Sequence, residues 1–226
     1  HVNLTLRPGE KLCLVGENGA GKSTFVKLLT RLYEPCEGRI LLDGVDIRTL
    51  DCDAYHTLFG CVFQDFKLFS ISVRDNVALA LDARDDAVWA ALARAGLAEK
   101  IRDKGGLDAA VGRMFDPAGF EPSGGEAQKL AMARALLRDA PVVVLDEPTA
   151  ALDPKAEYEL FRNFRELIEG KTAVFVSHRL GIARLCERIA VFEAGRIIEY
   201  GAHGELLARG GAYAGMFALQ ASFYRG

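Results

Sequence analysis

The chain has 226 residues, 50% of them hydrophobic and 26% charged, which suits one large or two small globular domains with a real core. Its formal net charge of −3 excludes the general basic surface of a nucleic-acid binder. No apolar run approaches the roughly 20 residues that span a bilayer, no signal-peptide pattern opens the chain, and Cys13, Cys36, Cys52, Cys61 and Cys186 lack the spacing of a zinc site or a disulfide framework.

The sequence starts abruptly on His1 without Met and reads as a piece of a longer polypeptide. Val2 to Leu6 alternate like an edge strand, and Pro8-Gly9 read as a turn. Lys11 to Val15 form an apolar run that predicts a buried strand containing Cys13. Gly16-Glu17-Asn18-Gly19-Ala20-Gly21-Lys22-Ser23 follows and fits the phosphate-binding pattern G-x-x-x-x-G-K-[ST] at every fixed position. Phe25, Val26, Leu28, Leu29 and Leu32 then give a helical face. Strand, glycine loop and helix in this order are what the motif requires. The glycines let backbone N–H groups converge on an anion, and the helix start adds partial positive charge. Lys22 can reach outer phosphates, and the Ser23 hydroxyl can ligate Mg²⁺.

Further along, Arg39–Asp43 reads as a short strand turned by Gly44, and Leu58–Phe63 as a strand ending at Gln64-Asp65. From Phe66 to Arg138 the character is helical. Asp82 or Asp85 would cap a helix bearing Val88, Trp89 and Leu92, Glu99–Lys104 is a second helix, and Glu126–Arg138 a third. Ser123 and Glu126 have capping-box spacing. Pro141–Leu145 is a β-branched run expected of a buried parallel strand. Asp153-Pro154 opens a helix with Leu160, Phe161, Phe164, Leu167 and Ile168 on one face. Thr172–Val176 is another buried strand, Arg188–Phe192 and Arg196–Tyr200 form a hairpin, and two short helices finish the chain.

Alternating strands and helices imply a mostly parallel sheet, whose ligands bind beyond the carboxyl ends of the strands. Four such ends carry polar residues: the glycine loop, Gln64, Asp146-Glu147 and Ser177-His178. After a phosphate-binding loop, one carboxylate of Asp146-Glu147 can hold Mg²⁺ and the other can take a proton from an attacking water.

Together these motifs resemble the ATP-binding domain of ABC transporters, exporter branch, colinearly over nearly the whole chain. Gly16–Ser23 looks like Walker A, Val142–Glu147 like Walker B, and Pro122-Ser123-Gly124-Gly125-Glu126 like the signature L-S-G-G-Q. Ala151-Leu152-Asp153 resembles the D-loop, Gln64 the Q-loop glutamine and His178 the switch histidine. The resemblance implies an α/β fold: a P-loop NTPase core with a mostly parallel sheet (1–65 and 139–200), a helical ABC-specific subdomain (66–138), a partial antiparallel β subdomain, and C-terminal helices (201–226). It implies that residues 16–24, from Gly16 to Thr24, hold ATP, and that Ser23, Gln64 and Asp146 serve Mg²⁺. Glu147 would be the general base, with His178 and Gln64 assisting. Two domains, identical or not, would pair head to tail, so that Ser123, Gly124, Gly125 and Glu126 touch the nucleotide of the other, with Asp153 at the interface. A transmembrane domain would be the second partner, at the cytoplasmic face of the membrane, and nucleic acid is not expected. The other readings are a non-transport ABC ATPase acting on DNA or ribosomes, and a P-loop phosphotransferase. The second leaves Ser123-Gly124-Gly125 and Ala151-Leu152-Asp153 unexplained.

Two departures stand out. The signature carries Pro122 for Leu and Glu126 for Gln, which predicts a stiff loop entry and a charge penalty on pairing. No Tyr, Phe or Trp precedes Gly16, whereas family members stack adenine on an upstream aromatic residue. The expectation is a loop that holds ATP mostly by its phosphates, and weakly.

Overall fold

The structure, a computed structural model, describes residues 2–79, 81–114, 116–147, 168–178 and 181–223. Two compact units emerge. Unit one comprises His1–Phe59, Pro141–Glu147 and Gly170–Gly226, and unit two Gly60–Ala140 and Pro148–Glu169.

Unit one is built on strands in the order β5-β6-β1-β7-β8. These are β1 (Lys11–Val15), β5 (Val142–Asp146), β6 (Thr172–Val176), β7 (Arg188–Glu193) and β8 (Arg196–Gly201). β5, β6, β1 and β7 run parallel, with Val144 opposite Val174, Leu12 opposite Val174 on the other side, and Leu14 opposite Ala190. Every residue of β6 and all but the first of β1 are buried, which explains their unbroken apolar runs. β8 is antiparallel to β7 across Ala194-Gly195, both at positive φ (48° and 75°), the conformation a tight two-residue hairpin needs. A separate small antiparallel ribbon pairs β2 (Leu41–Leu42) with β3 (Val45–Asp46). The architecture is therefore α/β with a mostly parallel sheet and a small antiparallel part. Helices α1 (Lys22–Leu29), α2 (Cys52–Thr57), α7 (His203–Arg209) and α8 (Ala212–Phe223) complete the unit.

β4 (Phe59–Val62) starts on the last residue of unit one's first segment, and the Leu58 carbonyl before it accepts from the Val142 N–H at 3.0 Å. Unit two then holds α3 (Val73–Ala78), α4 (Asp85–Arg94), α5 (Ala98–Asp103) and α6 (Gly124–Arg138). Val88, Ala91 and Leu92 of α4 are buried, as are Leu130, Ala131 and Met132 of α6.

Four sequence expectations need correction. Val2–Leu6 is not a strand; it is exposed or half-buried, and an extended segment without a ladder partner leaves its backbone to water. Helix α1 stops at Leu29, with Arg31 at φ 56°, so Leu32 leaves the predicted apolar face and is 51% exposed. Neither Asp82 nor Asp85 caps α4. Arg84 is the N-cap, and Asp85 and Asp86 sit in the first turn, where their charge meets the helix dipole. Finally, α2 arises where the sequence suggested no element; Asp51 caps it by accepting from the Ala54 N–H at 2.8 Å. The helix predicted after Asp153 lies outside the described residues except at its end, near Ile168.

Candidate functional site

The loop after β1 is shaped from outside by the β7–β8 hairpin. Gly16 has φ 145°, and a Cβ there would lie 2.3 Å from the Phe192 carbonyl oxygen. Gly21 has φ 102°, and its Cβ would come within 3.2 Å of the Gly195 Cα. The Gly195 N–H donates to the Ala20 carbonyl at 2.9 Å, and the Phe25 and Phe192 rings pack at 5.6 Å. Both glycines are thus demanded by backbone that crowds them.

Lys22 opens α1 and is only 4% exposed. Its ammonium spans the loop, donating to the Gly16 carbonyl at 2.9 Å and the Glu17 carbonyl at 2.8 Å. Burial pushes its pKa below the usual lysine value, and the carboxylates of Glu147 and Asp146 partly oppose that shift. The N-cap of α1 is Gly21, in a left-handed conformation and without a side-chain cap. Glu17, Asn18, Gly19 and Thr24 are exposed, Ser23 is half-buried and Ala20 buried. The first half of the loop also lines a cleft of about 370 Å³ with Phe192, Ile198 and Met216 among its walls.

Because β5, β6 and β1 are adjacent and parallel, their carboxyl ends lie side by side. β5 ends on Asp146, 3% exposed. Glu147 extends the ladder by one bond, its N–H donating to the Val176 carbonyl at 2.9 Å, and then takes φ 50°. A glutamate rarely adopts this left-handed conformation. His178 lies just past β6, and its Nε2 is 2.5 Å from Glu147 Oε1. That carboxylate is 15% exposed and the imidazole 34%, so the pair lies at the mouth of the site. Asp146 and Ser23 supply a carboxylate and a hydroxyl, the oxygen donors that a hard divalent cation takes.

Other predicted residues fall in unit two. Gln64 is exposed, in a turn closed by the Phe66 N–H on the Phe63 carbonyl at 3.3 Å. Ser123 and Glu126 form the predicted capping box. The Ser123 N–H donates to Glu126 Oε2 at 2.8 Å, and the Glu126 N–H to Ser123 Oγ at 3.4 Å. Glu126 also meets Lys100 at 3.4 Å, and the Ser123 amide and Lys100 together hold its carboxyl below the usual range. Ser123 and Gly124 are exposed, and Gly125 is half-buried. Asp153, with Ala151-Leu152, lies outside the described residues. Sequence reasoning missed the supporting role of Phe192 and Gly195. The signal was the first glycine of the loop, since an invariant need for glycine implies a close backbone neighbour.

Comparison with known proteins bears on the fold and the family. The family described as ABC transporter matches residues 1–150. An ATP-dependent lipid A-core flippase of Methylobacillus flagellatus is 41% identical over 222 residues, covering 97% of this chain and 37% of that protein. The subtilin transport ATP-binding protein SpaT of Bacillus subtilis is 42% identical, covering 92% of this chain and 34% of that one. A solved structure of a bacterial Atm1-family ABC exporter with ATP bound matches with TM-score 0.87 and 38% identity, covering 96% of this chain and 37% of its own. The chain thus spans little more than a third of the length of these relatives, and it belongs to the ABC transporter family.

Proposed function

We propose that this chain binds ATP on the Gly16–Thr24 loop and hydrolyses it to drive export through a membrane domain. The observation that carries the reading is the Glu147–His178 contact, held at strand ends beside a loop whose buried lysine bridges its own carbonyls. Lys22 has three ammonium donors and the loop carbonyls take two, so one remains for a phosphate oxygen. Glu147 takes a proton from the attacking water, the water oxygen bonds to the γ-phosphorus, and ADP departs. His178 orients the carboxylate and the water. Such a reaction needs positioning and charge stabilisation more than covalent chemistry from the protein. Ser23 and Asp146 would hold Mg²⁺, which would neutralise phosphate charge during the transfer.

A second domain of the same kind, identical or not, completes the site by presenting Ser123 to Glu126, with Asp153 at the shared interface. The start of α6 favours an anion, because its exposed N–H groups carry the positive end of the helix dipole. The names of the relatives, a flippase and a subtilin transport protein, favour export over a role on DNA or ribosomes. No helix among the described residues is long and apolar enough to cross a membrane, so this reading gives the crossing to another domain, with this one at its cytoplasmic face.

Glu147→Gln tests the assignment. ATP binding, followed by calorimetry, should persist, while turnover falls by about a hundredfold or more. Full turnover in that variant would remove Glu147 from the role of base.

A further inference from the structure

We propose that Gln220, near the end of the chain, is a positioning residue for hydrolysis: its side-chain amide holds the main-chain carbonyl of His178 and so fixes the root of the Glu147–His178 contact. This rests on the hydrolytic reading above.

His178 stands just beyond its strand. The Ser177 N–H still pairs with the Leu14 carbonyl at 3.2 Å, so the β6–β1 ladder reaches that far. One residue later the carbonyl of His178 accepts instead from Gln220 Nε2 at 2.7 Å, across 42 residues of sequence. The imidazole is therefore held at two places: at its tip by the Glu147 carboxylate and at its backbone by Gln220. Glu147 is anchored separately, through its N–H on Val176. A shift of the His178 backbone would thus change the His178–Glu147 distance without moving the base.

The helix that carries Gln220 is itself fixed. Glu199, from β8, accepts from the Ala212 and Tyr213 N–H groups at 2.8 and 2.9 Å, and its carboxylate satisfies the start of α8. A Cβ on the preceding Gly211 would overlap that carboxylate, so the glycine makes room for it. Tyr213 is fully buried, and its hydroxyl lies 2.7 Å from His203 Nδ1. Gln220 stands seven residues on, about 10 Å along a rigid helix. Between Ala212 and Leu219 the Tyr213 hydroxyl is the only other polar side-chain group, so a glutamine at this point is an exception that the His178 contact accounts for. Met216, on the same helix, lines the cleft shared with Gly16–Ala20. The last helix therefore faces the cleft beside the phosphate loop and also bonds the main chain of His178.

The test uses the full 226-residue chain and the variants Gln220→Leu, which removes the amide at similar size, and Gln220→Lys, which keeps an N–H donor. For Gln220→Leu the expected result is a kcat for ATP about three- to tenfold lower, with KM within about twofold and the melting temperature unchanged. Gln220→Lys should recover part of the loss, and in a His178→Ala background Gln220→Leu should cost nothing further. An unaltered kcat, a loss that persists in full without the His178 side chain, or a raised KM together with a lowered melting temperature would overturn the inference. A parent chain that turns over no ATP overturns the hydrolytic reading and this inference with it, whereas an active parent with an indifferent Gln220→Leu overturns this inference alone.

Discussion

In unit one the Gly16–Ser23 loop is held by backbone that belongs to other elements. The hairpin carbonyl of Phe192 leaves no space for a side chain at position 16, and the Cα of Gly195 crowds one at position 21. In unit two the Ser123–Glu126 loop is held by its own side chains, through a box of two hydrogen bonds within four residues. The first loop is specified by long-range packing, the second by local capping. Substitution should therefore be severe in one and mild in the other, although both are proposed to face the same kind of ligand.

The largest effect expected is that of Gly16→Ala. The methyl would meet the Phe192 carbonyl oxygen at 2.3 Å, and φ 145° is a region that side chains avoid. We expect a loss of about 3 kcal/mol or more, a melting temperature lower by about 10 °C, and abolished ATP binding. Gly19→Ala is the control inside the same loop. Gly19 also has positive φ, 79°, but nothing lies within 4 Å of its Cβ position, so only the backbone term of about 1 kcal/mol should appear. Equal melting temperatures for the two variants would mean that packing by the hairpin does not specify the loop.

The same contrast explains what the sequence reveals. The capping box was legible because its rule spans three residues, and the strands β5 and β6 because burial on both faces forces unbroken apolar runs. The glycine loop was legible as a pattern, and its site partners Glu147 and His178 as polar residues at strand ends. The reason for Gly16 was not legible, since it lies 176 positions away in Phe192, and no local rule reports such a distance. Val2–Leu6 failed for the converse reason: alternation suggested a strand, but a strand needs a neighbour, and periodicity alone cannot supply one. Gln220 was invisible because its partner is a main-chain carbonyl, which carries no residue identity.

A second prediction uses pH to separate the loops. Lys22 is a cation whose pKa is depressed by burial, so its ammonium is lost at lower pH than a solvated lysine's. Between the two values the unfolded chain binds more protons, and the stability of unit one should rise with pH there. ATP affinity should move the opposite way, falling at least about tenfold as pH climbs through the lowered Lys22 value, because a charge-assisted hydrogen bond to phosphate goes with the proton. Calorimetric titration at a series of alkaline pH values would follow it. Lys22→Met should bind weakly and without that alkaline fall; an identical fall in Lys22→Met would assign the pH dependence elsewhere.

The smallest effect is expected at Glu126, and its sign differs between folding and pairing. Glutamine keeps the geometry of the capping box but loses the charge that faces Lys100 and the start of α6. The pair is partly exposed, so stability should fall by only about 0.5 kcal/mol. Because the Glu126 carboxyl is held below its usual range, this advantage over glutamine is present at neutral pH and lost as pH falls through the depressed value, where both side chains are neutral. Pairing should respond the other way. A negative charge at a loop proposed to meet a phosphate opposes association, so Glu126→Gln should form ATP-dependent dimers a few-fold more tightly, measured by light scattering in a Glu147→Gln background that blocks turnover. Weaker dimers in Glu126→Gln would refute a charge penalty on pairing.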